Sequence, residues 1–174
     1  ENYGKMFYGP STLRIGIEKS RNLMTVRVAQ KVGFDQISKI TNDFGVYNDV
    51  PELLSVSLGA AETTLIQLTN AYCTFLNGGK KVTPIFIDRI QNRRGKTIFN
   101  ADKRKCLGCK EISYLKDEIP TIEDDKKQII SPETAYQITS MLEGVIKRGT
   151  GRKLKKLNLI LAGKTGTTNK NMDA

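Results

Sequence analysis

Apolar positions recur at helical spacing through much of the chain. Leu13 and Ile17 share a face at i, i+4. The pattern stops at Ser20-Arg21-Asn22, resumes from Thr25 to Val32, and ends at Gly33, a natural helix stop. Phe34, Ile37, Ile40 and Phe44 predict another short helix. The clearest helix is expected from about Thr63 to Asn77. Leu65, Leu68, Tyr72, Phe75 and Leu76 form its stripe, and Gly78-Gly79 end it. A β-hairpin follows, with Lys81–Ile90 alternating weakly, Asn92–Gly95 turning, and Lys96–Asn100 returning. Residues 101–128 are polar and aperiodic, which predicts a surface excursion. Ser131 is an expected N-cap, with Pro132 in the first turn and Glu133 suited to the positive helix end. Ala135, Ile138, Leu142, Val145 and Ile146 make the buried face of that helix, and Gly149 closes it. Leu157–Ala162 reads as a short apolar strand running into Gly163-Lys164-Thr165-Gly166-Thr167-Thr168. The expectation is an α+β fold, predominantly helical. It divides into a helical part over 1–80, a hairpin and excursion over 81–129, and a helix with a strand over 130–174.

Composition narrows the chemistry. The 174 residues are 39% hydrophobic and 26% charged, as in an ordinary folded domain. No apolar run is long enough to span a bilayer. No signal peptide opens the chain, so any export signal of a parent protein is expected outside this segment. The net charge of +10 suits anionic surfaces, yet the positive residues are scattered apart from Lys147, Arg148, Arg152, Lys153, Lys155 and Lys156. No nucleic-acid motif accompanies them, and none is expected as a partner. There is no histidine, which removes Ser-His-Asp and Cys-His catalysis and every zinc site built on His. Cys106 and Cys109 form a lone C-x-x-C, with Cys73 the remaining thiol. A local disulfide ranks ahead of free thiols, and a metal comes third for want of a second pair.

Lys164-Thr165-Gly166 is the sharpest signal. Serine acyltransferases of the penicillin-binding and β-lactamase type combine S-x-x-K, S-x-N and K-T-G, in that order. A cation and a hydroxyl at the edge of a cleft can together hold a carboxylate, and the glycine lets substrate approach the backbone. Ser20-Arg21-Asn22 is the S-x-N candidate. That tripeptide occurs by chance in about one chain in two of this length. Its place in a break between helices is what gives it weight.

The surroundings carry more. Tyr8-Gly9-Pro10-Ser11-Thr12-Leu13-Arg14 and Glu18-Lys19-Ser20-Arg21-Asn22-Leu23-Met24-Thr25-Val26-Arg27 resemble the S-x-N region of class A penicillin-binding proteins. So do Ser57-Leu58-Gly59-Ala60 with Glu62, Asn77-Gly78-Gly79, and Arg148-Gly149-Thr150-Gly151. The resemblance covers nearly the whole chain and is weakest over 101–128. It implies an internal piece of a transpeptidase domain of the penicillin-binding/β-lactamase-like fold. The implied activity is cross-linking of peptidoglycan stem peptides through a serine acyl-enzyme, which β-lactam antibiotics intercept, with no cofactor. On that resemblance Ser20 relays a proton to the leaving nitrogen, and Asn22 binds the substrate amide and orders a lysine. Lys164, Thr165 and Thr167 hold the terminal carboxylate, with Gly166 between them, and the Thr167 N–H lends itself to an oxyanion hole. The resemblance also implies a parent on the periplasmic face of the bacterial inner membrane, held by an anchor outside this segment and carrying a glycosyltransferase domain.

The nucleophile motif should precede Ser20, and nothing there fits, because Ser11-Thr12-Leu13 is followed by Arg14, a residue that stays protonated. The literal match Ser113-Tyr114-Leu115-Lys116 follows S-x-N inside the polar excursion and runs toward Pro120. It reads as a decoy, so the chain is expected to lack the nucleophile and to be inactive alone. A segment cut from a larger domain should also leave the Lys164 strand with a bare edge. Competing readings are a D,D-carboxypeptidase or β-lactamase-like acyltransferase, a non-catalytic basic binding module, and a C-x-x-C metal or redox module.

Overall fold

The computed structural model describes residues 5–107 and 121–166. Among the described residues five α-helices carry the fold: α1 (Leu13–Glu18), α2 (Asn22–Val32), α3 (Phe34–Phe44), α4 (Leu65–Leu76) and α5 (Pro132–Lys147). Two 3-10 turns, Leu54–Leu58 and Arg152–Leu157, follow α3 and α5. Between α4 and α5 lie two small antiparallel ladders, β1 (Arg89–Gln91) with β2 (Thr97–Asn100), and β3 (Cys106–Leu107) with β4 (Thr121–Ile122). The α+β expectation holds, and among the described residues the strands are confined to these two ladders, with one isolated bridge between Lys80 and Gln128.

Local chemistry explains most of the boundaries. The Thr12 hydroxyl accepts from the Ile15 N–H and starts α1. Thr64 and Gln67 form a reciprocal capping box at the start of α4. The Ser131 hydroxyl accepts from the Thr134 N–H, Pro132 opens α5, and Glu133 lies in its first turn. Gly45 ends α3 in the left-handed region, φ 73°. Helix α2 begins at Asn22, three residues before its expected start, so the break is only Lys19-Ser20-Arg21. The first hairpin is shorter than expected, since β1 spans Arg89–Gln91 rather than the run from Lys81. Pro84 supplies no N–H to a ladder there. In register, Arg89 faces Asn100, Ile90 faces Phe99 and Gln91 faces Thr97, with a bulge between Ile90 and Gln91.

Helix α5 is the central element. It packs on α1 and on α4, while α2 rests on the Leu54–Leu58 turn. Val145 and Thr74 are fully covered, and Ala135, Ala71, Phe44, Ile146 and Leu142 complete the junction. The rings of Phe44 and Phe75 lie 5.0 Å apart and tilted, and Tyr72 meets Phe75 edge-on at 6.3 Å. No helix among the described residues is long and apolar enough to cross a membrane.

The Lys164 segment differs from expectation. Residues 158–166 form no ladder, and Leu159 and Ile160 are exposed. A strand needs a neighbour, and among the described residues none lies beside this segment. The Gly163 N–H ties it to α5 by donating to the Leu142 carbonyl at 3.3 Å.

Candidate functional site

The α1–α2 break and the segment after α5 meet at one point. The Lys164 ammonium donates to Ser20 Oγ at 2.6 Å and to the Thr165 carbonyl at 2.8 Å. Ser20 and Lys164 are 144 residues apart in sequence, and the fold brings them into contact.

Three features fix Ser20. Its N–H bonds the Ile17 carbonyl, and the Arg21 N–H bonds that of Gly16, which closes α1. Ser20 itself sits at φ 52°, a left-handed backbone that a side chain rarely adopts. Gly16 lets α2 fold back closely, because a Cβ there would come within 2.6 Å of Met24 Sδ.

A buried carboxylate ties the break to α5. Glu18 is only 4% exposed. It accepts from Arg148 Nε at 3.1 Å and from Arg148 Nη2 at 2.5 Å, with Arg14 Nη1 at 3.5 Å. The Arg148 hydrogen bond, working against burial, holds its carboxyl below the usual range. The backbone joins in. The Thr150 N–H donates to the Glu18 carbonyl at 3.1 Å, and Lys19 Nζ donates to the Arg148 carbonyl at 2.6 Å. Gly144 and Gly149 leave the room this needs, since a Cβ at either would collide with Glu18. Thr150 Oγ1 then shares a 2.6 Å hydrogen bond with Thr165 Oγ1, which carries the clamp on to the Lys164 segment.

Lys164 stands at the rim of an apolar cleft of about 440 Å³ walled by Phe44, Leu68, Tyr72, Phe75 and Leu142, with Ser20 beside it. Lys164 is exposed by area, yet the protein crowding its ammonium lowers its pKa. A cation and a hydroxyl at one end of an apolar cleft can bind an anionic group and pass a proton between partners.

Ser20, Lys164 and Thr165 thus come together through the fold. Asn22 is the first residue of α2, two positions past Ser20, and is half-buried. Gly166 is exposed, with open space where a Cβ would stand. Thr167, Ser113, Lys116 and Cys109 lie outside the described residues. Cys106 is disulfide-bonded and Cys73 is free, so Cys106 offers no thiolate to a metal. No group of His, Cys, Asp and Glu among the described residues could hold a metal ion. Sequence reading missed the Glu18–Arg148 clamp. The i, i+4 pair of Arg14 and Glu18 hinted that a carboxylate lay on the apolar stripe, but a partner 130 residues away left no periodic trace.

The family model described as the penicillin-binding protein transpeptidase domain matches residues 1–174. Penicillin-binding protein 1A of Rickettsia typhi is 46% identical over 177 residues, covering 99% of this chain and 22% of that protein. The Pseudomonas aeruginosa protein of the same name is 33% identical over 204 residues, covering 99% of this chain and 25% of its own. The crystal structure of penicillin-binding protein 1A from Haemophilus influenzae matches with a TM-score of 0.80 at 31% identity, covering 97% of this chain and 28% of that one. The chain therefore spans about a fifth to a quarter of the curated relatives named here. With the family match over its whole length and the ordered Ser20, Lys164 and Thr165 in its fold, this chain belongs to the penicillin-binding protein transpeptidase domain family.

Proposed function

We propose that this chain supplies the S-x-N and K-T-G walls of a peptidoglycan D,D-transpeptidase site. The observation that carries the proposal is the Lys164–Ser20 hydrogen bond of 2.6 Å at the end of an apolar cleft. In this reading a serine from a Ser-x-x-Lys turn outside the described residues gives its proton to the lysine of that turn and attacks the carbonyl of a D-Ala-D-Ala end, and the C–N bond to the last D-Ala breaks as Ser20 relays that proton onward. The Ser20 hydroxyl passes a proton to the departing amine, and Lys164 holds that hydroxyl in place. Lys164 and Thr165, with Thr167, bind the terminal carboxylate, and Asn22 receives the substrate amide. The Thr167 N–H helps stabilise the oxyanion. An amine of a neighbouring stem peptide then takes the acyl group, and a β-lactam acylates the same serine instead. The parent works at the periplasmic face of the inner membrane, held by an anchor outside these residues.

The test measures β-lactam acylation in a longer chain that includes the Ser-x-x-Lys turn. Lys164→Ala and Ser20→Ala are each expected to slow acylation by roughly 100-fold or more, as loss of a proton-transfer or electrostatic group does. Unchanged rates in both would contradict the roles assigned.

A further inference from the structure

Thr150 lies in the turn after α5, between Gly149 and Gly151, and is exposed while both glycines are buried. That turn is tightly held. The Gly149 N–H donates to the Val145 carbonyl at 3.1 Å, the Gly151 N–H donates to the same carbonyl at 3.0 Å, and the Thr150 N–H donates to the Glu18 carbonyl at 3.1 Å. A Cβ at Gly149 would collide with the Glu18 backbone, and one at Gly151 would come within 2.7 Å of Ile146 Cδ1. Thr165 is placed differently. Its segment forms no ladder, and the Gly163 N–H, two positions earlier, holds α5 at 3.3 Å. A threonine side chain has three staggered wells, and the 2.6 Å bond between Thr150 Oγ1 and Thr165 Oγ1 selects among them. A hydroxyl on a fixed turn thus steers a hydroxyl on a loosely tied segment.

We propose that Thr150 is a positioning residue: its hydroxyl donates to Thr165 Oγ1 and so turns the Thr165 proton toward the substrate carboxylate. The proposal rests on the transpeptidase reading, which places a terminal carboxylate at Lys164 and Thr165. A hydroxyl carries one proton, and an ionised carboxylate only accepts. With the carboxylate bound, the Thr165 proton is committed to it, so the Thr150–Thr165 hydrogen bond persists only with Thr150 as the donor. Two hydrogen bonds running in the same direction polarise one another, which strengthens the bond that meets the charge. Thr150 acts on the substrate only through Thr165.

Acylation of the longer chain by benzylpenicillin and by its methyl ester, which lacks the anionic carboxylate, tests this. The unsubstituted chain should prefer the acid, and Thr165→Val should lower that acid-to-ester rate ratio. Thr150→Val removes the hydroxyl and keeps the side-chain shape. It should lower the ratio about tenfold, the worth of one hydrogen bond to a charged group. Thr150→Ser should keep the ratio, and the double substitution Thr150→Val with Thr165→Val should lower it no further than Thr165→Val alone. Thermal melting checks that each variant folds, and a partial loss of folded protein cancels because acid and ester are compared on the same sample. The positioning role alone is overturned if Thr165→Val lowers the ratio and Thr150→Val does not, if Thr150→Ser loses as much as Thr150→Val, or if the two valine effects add. If Thr165→Val leaves the ratio unchanged, the carboxylate role given to Thr165 fails and the positioning role goes with it. If neither compound acylates the longer chain, the transpeptidase reading itself fails.

Discussion

Ser20 combines a strained backbone with a hydroxyl directed at Lys164. A left-handed backbone costs a non-glycine residue about 1–2 kcal/mol, so a serine kept there points to a use for its side chain. Ser20→Gly separates the two properties. The variant should resist urea at least as well as the unsubstituted chain, yet acylation in the longer chain should fall as it does for Ser20→Ala. A variant that is both less stable and fully active would remove the reason given for the serine. Lys164 gives a pH signature. Its folded pKa lies below the ordinary 10.5, so between the two values the unfolded chain binds more protons. Stability should therefore rise gently with pH as that range is approached and entered. Lys164→Met should flatten the rise in urea titrations between mildly and strongly alkaline pH. The serine and the lysine were legible in sequence as motif members, because motif residues keep their spacing to local punctuation. Their contact was not legible, since nothing local encodes a meeting of residues 144 positions apart.

At the scale of elements, the site depends on how α1 is fastened to the end of α5. Glu18 is covered while the Arg148 side chain is 56% exposed, so solvent screens the pair, and Glu18→Gln should cost on the order of 1 kcal/mol. The sign with pH follows from the lowered carboxyl. The contribution is fully present above the ordinary value of 4.5 and is lost as pH falls through the lower folded value. Glu18→Gln should remove that part of the acid-side loss in chemical unfolding. Gly144→Ala tests the same joint by crowding, because its Cβ would collide with the Glu18 carboxylate. Overpacking of this kind costs about 1–3 kcal/mol, which should appear as a lowered melting temperature. The helices themselves were readable, since caps such as Ser131 and stops such as Gly33 act within one turn. Helix α2 began earlier than periodicity suggested, because Asn22, Leu23 and Met24 continue the helix whether or not they extend an apolar stripe.

At the scale of the whole molecule, the described residues leave many large apolar side chains in solvent. Leu65 is 82% exposed and Ile160 is 94% exposed. Residues 158–166 also present backbone groups with no ladder partner, a surface open to pairing with another chain. The 174-residue chain should therefore self-associate as its concentration rises, and sedimentation velocity checks this. A strictly monomeric chain at high concentration would mean that these surfaces are covered. The sequence reading of Leu157–Ala162 as a strand rested on its apolar character. Strand formation is a property of two segments, so one run of Leu and Ile could not settle it.

The proposed function places Ser20 and Lys164 in a penicillin-reactive site whose nucleophile lies in a Ser-x-x-Lys turn other than Ser113–Lys116. Fluorescent-penicillin labelling tests it most directly, comparing the 174-residue chain with a longer chain extended at both ends and mapping any modified residue. The expected result is labelling of the longer chain alone, on a serine preceding Ser20 in sequence. Labelling of the 174-residue chain itself, mapped to Ser113, would contradict it.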